Sequence, residues 1–162
     1  MSRPRTAGRA VSGADPAAVG QRIVDRFRAD LAAQASILYR LMQETGDLVA
    51  VFVSGDAGPG FAPNVVLPAG TGIAGLAVSD RTAQVSPDVL GDARLTLLPE
   101  LRARIEQAPF RAALAVPVLV KDGVVGVLAA YDGAGRIFDE PAIELGRRFA
   151  AEAALGLGDA WR

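Results

Sequence analysis

The sequence contains no cysteine and no histidine among its 162 residues. The first absence excludes disulfides, cysteine-bound iron–sulfur clusters, thiol nucleophiles and thioether-linked chromophores. The second removes the commonest general base at neutral pH and the commonest ligand of zinc or haem. Net charge is also lacking: 17 basic and 18 acidic side chains leave a formal charge of −1. Nucleic acid demands a basic surface, so it is not an expected partner. Long hydrophobic runs are missing too. The longest, 112–120 and 124–131, are strand-length and are split by Lys121-Asp122-Gly123. Neither approaches the roughly 20 residues of a membrane-spanning helix, so no membrane is expected. The N-terminus carries Arg3, Arg5 and Arg9 without an apolar run of signal-peptide length. A cysteine-free chain of this kind fits a cytoplasmic location.

What is present is an apolar fraction of 51%, enough for a full core in one domain. Residues 1–14 read as a disordered tail, with Met1 suiting a natural N-terminus, and 15–160 as a single domain. Asp15-Pro16 reads as an N-cap followed by proline at the first helical position. Val19, Ile23, Phe27 and Leu31 then recur every four residues, which predicts an amphipathic helix over 16–34. "SILYRLMQ" and "LVAVFVS", joined by Glu44-Thr45-Gly46-Asp47, read as a β-hairpin. "NVVL" and "AQVS" are short strand candidates. A two-turn helix is expected over 73–80 and an amphipathic one over 97–108, with Pro99 in its first turn. "AALAVPVLV" and "VVGVLAAY" flank Asp122-Gly123, a pair suited to a type I′ turn. Neither run alternates with polar residues, so both faces should be buried. Pro117 cannot donate to a ladder and predicts a bulge or an unpaired slot. Asp139-Glu140-Pro141 opens a helix over 140–158, with Ile143, Gly146, Ala150, Ala153 and Leu157 on one small-residue stripe. The order predicts an α+β fold, a central antiparallel sheet flanked by helices, with the first and last helices packed together.

One motif invites a nucleotide-binding reading. Gly70, Gly72 and Gly75 stand in the order G-x-G-x-x-G, the fingerprint of a dinucleotide-binding βαβ unit. Such a unit needs a long crossover helix and a parallel strand, and Asn64–Ser86 is too short for both. The alternative is structural: Gly70 and Gly72 supply positive φ where a strand turns into a helix, and Ala74 and Gly75 let that helix lie close to the sheet.

Three segments in order resemble the GAF domain family. "LPAGTGIAGLAVSDRTAQVSPDVLGDARL" is similar to its glycine turn, short helix and Asp-Arg loop. "RAALAVPVLVKDGVVGVLAAYD" resembles its core hairpin, and "RIFDEPAIELGRRFAAEAALGLGDA" its closing helix. The resemblance spans 16–158 and implies a GAF/PAS-like, non-enzymatic sensor or regulatory domain. It would bind an unidentified small molecule between the sheet and the middle segment. It would signal through its terminal helices, as a homodimer and to a possible partner protein. Members that attach bilin use cysteine, haem-binding members generally use histidine, and free methionine sulfoxide reductases of this fold need cysteine; this chain has neither residue. The cyclic-nucleotide signature is only partly echoed by Phe138-Asp139-Glu140.

The ligand-binding candidates are Asp88, Arg94, Leu98, Val116, Val118 and Tyr131. Each has a plainer role: Asp88 and Asp92 as turn caps, Arg94 as the surface partner of Asp92, the others as core. Trp161 reads as a tail residue or a partner contact. No catalytic or metal-binding residue is expected, because Ser79 and Ser86 have no histidine to activate them. Two alternatives stand beside the sensor: a ligand-free dimerisation module, and a nucleotide-binding enzyme using the glycines at 70–75.

Overall fold

A computed structural model describes residues 15–121 and 123–162. The expected tail at 1–14 lies outside the described residues. Helix α1 spans Pro16–Leu31, and the Asp15 carboxylate accepts from the Ala17 N–H at 3.2 Å. The helix stops three residues short of expectation because Ala32 turns left-handed at φ 52, and the Ala33 N–H reaches back to the Arg28 carbonyl at 3.0 Å. That is a helix-terminating pattern.

Six strands follow the expected order: β1 Ala35–Leu41, β2 Leu48–Gly55, β3 Val66–Leu67, β4 Gln84–Ser86, β5 Ala112–Val120 and β6 Gly123–Asp132. They form one antiparallel sheet in the spatial order β3-β2-β1-β6-β5-β4. Helices α2 Gly72–Asp80 and α3 Pro99–Glu106 lie between the short strands, and α4 Glu140–Trp161 closes the chain. Val120 pairs with Gly123, the first residue of β6. Asp122, half of the expected type I′ turn, lies outside the described residues. Pro117 keeps its register opposite Val127, but β4 pairs β5 only through Ala113–Ala115. The missing N–H therefore sits where β4 has ended. The β5–β6 register slips between Val118 and Leu119.

Alternation on β1, β5 and β6 divides the core in two. Leu38, Leu114, Val116, Leu128 and Ala130 face one side, where they meet Ile23, Phe27, Phe149 and Leu157 of α1 and α4. Ile37, Tyr39, Ala113, Ala115, Val127, Ala129 and Tyr131 face the other, beneath α2, α3 and the loops between them. Both faces of β5 and β6 are buried, as their unbroken apolar runs imply. Each large side chain buried this way contributes about 1.5–3 kcal/mol.

The terminal helices pack on each other. The Phe27 and Phe149 rings lie 5.7 Å apart, and Arg22 reaches Glu152 at 3.6 Å. A Cβ on Gly146 would stand 2.8 Å from Val116 Cγ2 and 3.4 Å from Phe27. The small-residue stripe is therefore the line along which α4 settles on both the sheet and α1. Trp161 corrects its reading as tail or partner contact. It is buried, stacks on Phe52 at 6.4 Å, and lies over Gly126.

Candidate functional site

The glycine motif sits in a topology unlike a dinucleotide fold. The strands before and after α2 are β3 and β4, the two outermost strands at opposite edges of an antiparallel sheet. The chain between them crosses a whole sheet face and covers it. Gly70 and Gly72 have φ of +75 and +69, the conformation only glycine adopts freely. The first N–H of the helix, on Gly72, donates to the Thr96 carbonyl at 2.8 Å, so it is not free to hold a phosphate. Gly75 differs from expectation: a Cβ there would stand 2.6 Å from the Gly70 carbonyl carbon. Its smallness serves the turn itself; Ala74 is the residue buried towards the sheet-side core.

Under this cover lies a small cavity of 20 Å³. Its walls are Ile73 of α2, Leu101 and Ile105 of α3, and Val89 and Leu97 from the connecting loop; Phe61, Phe110 and Tyr131 close it against the sheet. The Phe110 and Tyr131 rings are 4.4 Å apart, and Phe61 meets Phe110 edge-on at 5.1 Å. Such a volume holds about one water.

One polar pair lies in this apolar surround. Tyr39 of β1 and Tyr131 of β6 bring their hydroxyls to 2.7 Å. Both side chains are buried. Burial holds both phenols above their ordinary pKa, Tyr39 well above it, where the neighbouring Tyr131 adds to the effect and Arg104 opposes it. Both hydroxyls are neutral at physiological pH.

Of the six candidate residues, only Tyr131 lines the cavity. Val116 and Val118 lie on the opposite face, because even-numbered β5 positions point at α1 and α4. Val116 instead borders a separate 210 Å³ cleft beside α4, with Pro117, Leu119 and Arg147. Leu98 precedes α3 with its side chain 45% exposed, while its neighbour Leu97 points inward. Asp88 is exposed and accepts from the Leu90 N–H at 3.1 Å. Arg94 grips Asp92 with two bonds of 3.1 and 2.8 Å and also donates to Gln84 and the Val85 carbonyl. That grip holds the Asp92 carboxyl at about 2. Both Asp88 and Arg94 thus fasten the covering loop. Phe138 packs beneath the Arg136 guanidinium and Asp139 caps α4, accepting from Ala142 at 3.1 Å, so the Phe-Asp-Glu run is a helix start.

The wall residues missed include Phe61, Ile73, Val89, Leu97, Leu101, Ile105 and Phe110, and with them Tyr39, the partner of Tyr131. Tyr39 was recoverable from period two on β1, and Leu101 and Ile105 from the apolar stripe of α3. Nothing local marks Phe61, which sits in a Gly/Pro-rich loop, or Phe110, which follows α3 without a periodic pattern. Among the described residues no group of three or more acidic side chains is placed to hold a metal, and no helix is long and apolar enough to cross a membrane.

The family model of the GAF domain matches residues 13–157. The chain belongs to the GAF domain family. Domains of this family typically serve small-molecule sensing or regulation. No protein of curated function matches the chain. Among solved structures, the GAF domain of a phosphoenolpyruvate-protein phosphotransferase from Coxiella burnetii aligns with TM-score 0.77 and 17% identity, over 92% of this chain and 86% of that one. The blue-light absorbing form of the PixJ GAF domain of Thermosynechococcus elongatus gives 0.73 and 21%, over 90% and 86%. A free methionine-R-sulfoxide reductase from Neisseria meningitidis, in complex with its substrate, gives 0.72 and 19%, over 89% and 78%. At these identities the likeness is one of fold. The GAF fold therefore serves sensors and at least one named reductase, and this chain lacks the cysteine and histidine that the thiol, bilin and haem chemistries above would use.

Proposed function

We propose that residues 15–160 act as one non-catalytic, cytoplasmic regulatory GAF domain. It binds a small, mostly apolar molecule in the cavity between the sheet and the covering segment, and signals through α1 and α4 in a homodimer. One observation carries the reading: the cavity rests on a strand that also touches the output helices. Tyr131 faces the cavity, while Leu128 and Ala130 of the same strand face α1 and α4. A molecule that displaces Tyr131 acts on a strand shared with the helix layer. For the dimer, support comes from Leu155 of α4, which is 90% exposed.

The ligand set in this proposal is Tyr131 with Phe61, Leu97, Leu101, Ile105 and Phe110. Asp88 and Arg94 hold the covering loop in place. A thermal-shift series on the full chain tests it, using cyclic nucleotides, nicotinamide dinucleotides, free amino acids and small neutral aromatic compounds. Stabilisation by a neutral aromatic compound, lost in Phe110→Ala, is the expected result. Stabilisation by a dinucleotide with turnover would overturn it.

A second reading is favoured by the cavity volume. At 20 Å³ the side chains nearly fill the pocket, which suits a ligand-free dimerisation module. Failure of every compound to shift the melting temperature would support that reading.

A further inference from the structure

The Tyr39–Tyr131 pair carries two hydroxyl protons and uses one of them in its shared bond. Among the described residues no third group meets either oxygen. Tyr131 lines the cavity and Tyr39 does not. Either hydroxyl can donate; with Tyr39 as donor, the Tyr131 proton is left without a partner. An unmet buried donor is costly.

The other side chains of the lining are aliphatic and aromatic, the backbone of Gly72 at the start of α2 completes it, and no acidic or basic side chain is among them. Arg104, the cation that Tyr39 senses, is engaged by the Val66 carbonyl and by Glu100. An ion entering the cavity would lose its water without gaining a counter-charge. A hydrocarbon would leave the proton unmet.

The geometry points to a specific ligand class: compact neutral molecules with an apolar, ring-sized body and one acceptor oxygen, such as a ketone, aldehyde or ether, that takes the spare Tyr131 proton. This rests on the reading of the cavity as a ligand site. The volume must grow to admit such a molecule. Leu97 and Leu101 of the covering segment are the side chains that yield, and Leu101→Ala makes room without touching the tyrosines.

The test measures binding of acetophenone, α-methylstyrene and benzoate to the full chain and to Leu101→Ala by NMR titration. The first two share a shape and differ in the acceptor oxygen. Each is then repeated with Tyr131→Phe and with Tyr39→Phe, in the chain that binds best. In Tyr131→Phe the affinity ratio of acetophenone to α-methylstyrene should fall about three- to tenfold, the range of one neutral hydrogen bond. In Tyr39→Phe it should persist, because the Tyr131 hydroxyl remains. If Tyr131→Phe fails to fold, the ratio in Tyr39→Phe decides: acetophenone preferred supports the proposal, equal binding overturns it. If both neutral probes bind with a ratio that neither variant changes, or if benzoate binds best, the ligand class is wrong and the cavity remains a ligand site. If no probe binds either chain, both readings fall.

Discussion

Tyr39 and Tyr131 touch through their hydroxyls at 2.7 Å, although they stand four positions apart on the β1–β6 ladder. Tyr131 is opposite Ala35, and Tyr39 is opposite Val127. Four residues of strand are about 13 Å, so each ring leans along the sheet towards the other. The contact ties two central strands on the face that the cavity shares. These are the chain's two tyrosines, which makes their titration a direct readout. Burial raises both folded-state values above the ordinary value near 10. A raised folded value means the stabilisation is whole below about pH 10 and is lost as pH rises beyond it. In a spectrophotometric titration, no tyrosinate band should form until the protein unfolds at high pH. A band that forms reversibly near pH 10 in the folded chain would contradict this.

Asp92 gives the opposite sign. Arg94 holds its carboxyl at about 2, below the ordinary value of about 4. The stabilisation is present above pH 4 and is lost as pH falls from 4 to 2. Half of the Arg94 side chain is exposed, so solvent screens the pair and the effect is at most about 1 kcal/mol, or about 2–4 °C in melting temperature. Asp92→Asn should melt lower than the parent at pH 6, with the gap closing by pH 2.

The glycine turn is expected to be structural. Gly70 has a φ of +75 with open space around its Cβ position, whereas at Gly75 a Cβ meets backbone at 2.6 Å. Gly70→Ala should cost about 1–2 kcal/mol from left-handed strain. Gly75→Ala should cost about 2–3 kcal/mol, because backbone must move to admit it. Chemical denaturation measures both. A Gly70 variant of unchanged stability that lost binding to a nucleotide would restore the phosphate-cradle reading.

Trp161, the chain's one tryptophan, fastens the end of α4 to the sheet through Phe52 and Gly126. Trp161→Ala should cost about 3 kcal/mol, the low end for a large buried ring, because the last turn can fray. The parent's emission should be that of a buried indole and should shift to the red on unfolding.

Leu155 stands on α4 with 90% of its side chain exposed. Leu155→Arg should convert a homodimer to monomer in sedimentation, with the monomer's own fold changed by less than about 0.5 kcal/mol. A parent that sediments as a monomer at micromolar concentration would contradict the dimer.

The helices and the central strands were legible because their signals are local: Asp-Pro and Asp-Glu-Pro starts, a four-residue repeat in α1, and apolar runs in β5 and β6. The resemblance of three ordered segments pointed to the family. The site was legible only in Tyr131. Val116 and Val118 belong to strands buried on both faces, and an unbroken apolar run does not say which parity faces which layer. The register that decides it is set by pairing with β6. Phe61 and Phe110 reach the cavity from loops, where no period marks the inward side. Trp161 looked like tail because its partners, Phe52 and Gly126, are distant in sequence.

On the proposed function, the cavity and the terminal helices act as one unit through β6. The indole N–H of Trp161, at the far end of α4, is the direct reporter. In a proton–nitrogen correlation spectrum of the full chain, titration with acetophenone should move the Trp161 indole signal in proportion to the Phe110 and Tyr131 amide signals. Saturation of the Phe110 and Tyr131 signals with Trp161 and the α1 and α4 amides unmoved would contradict the account.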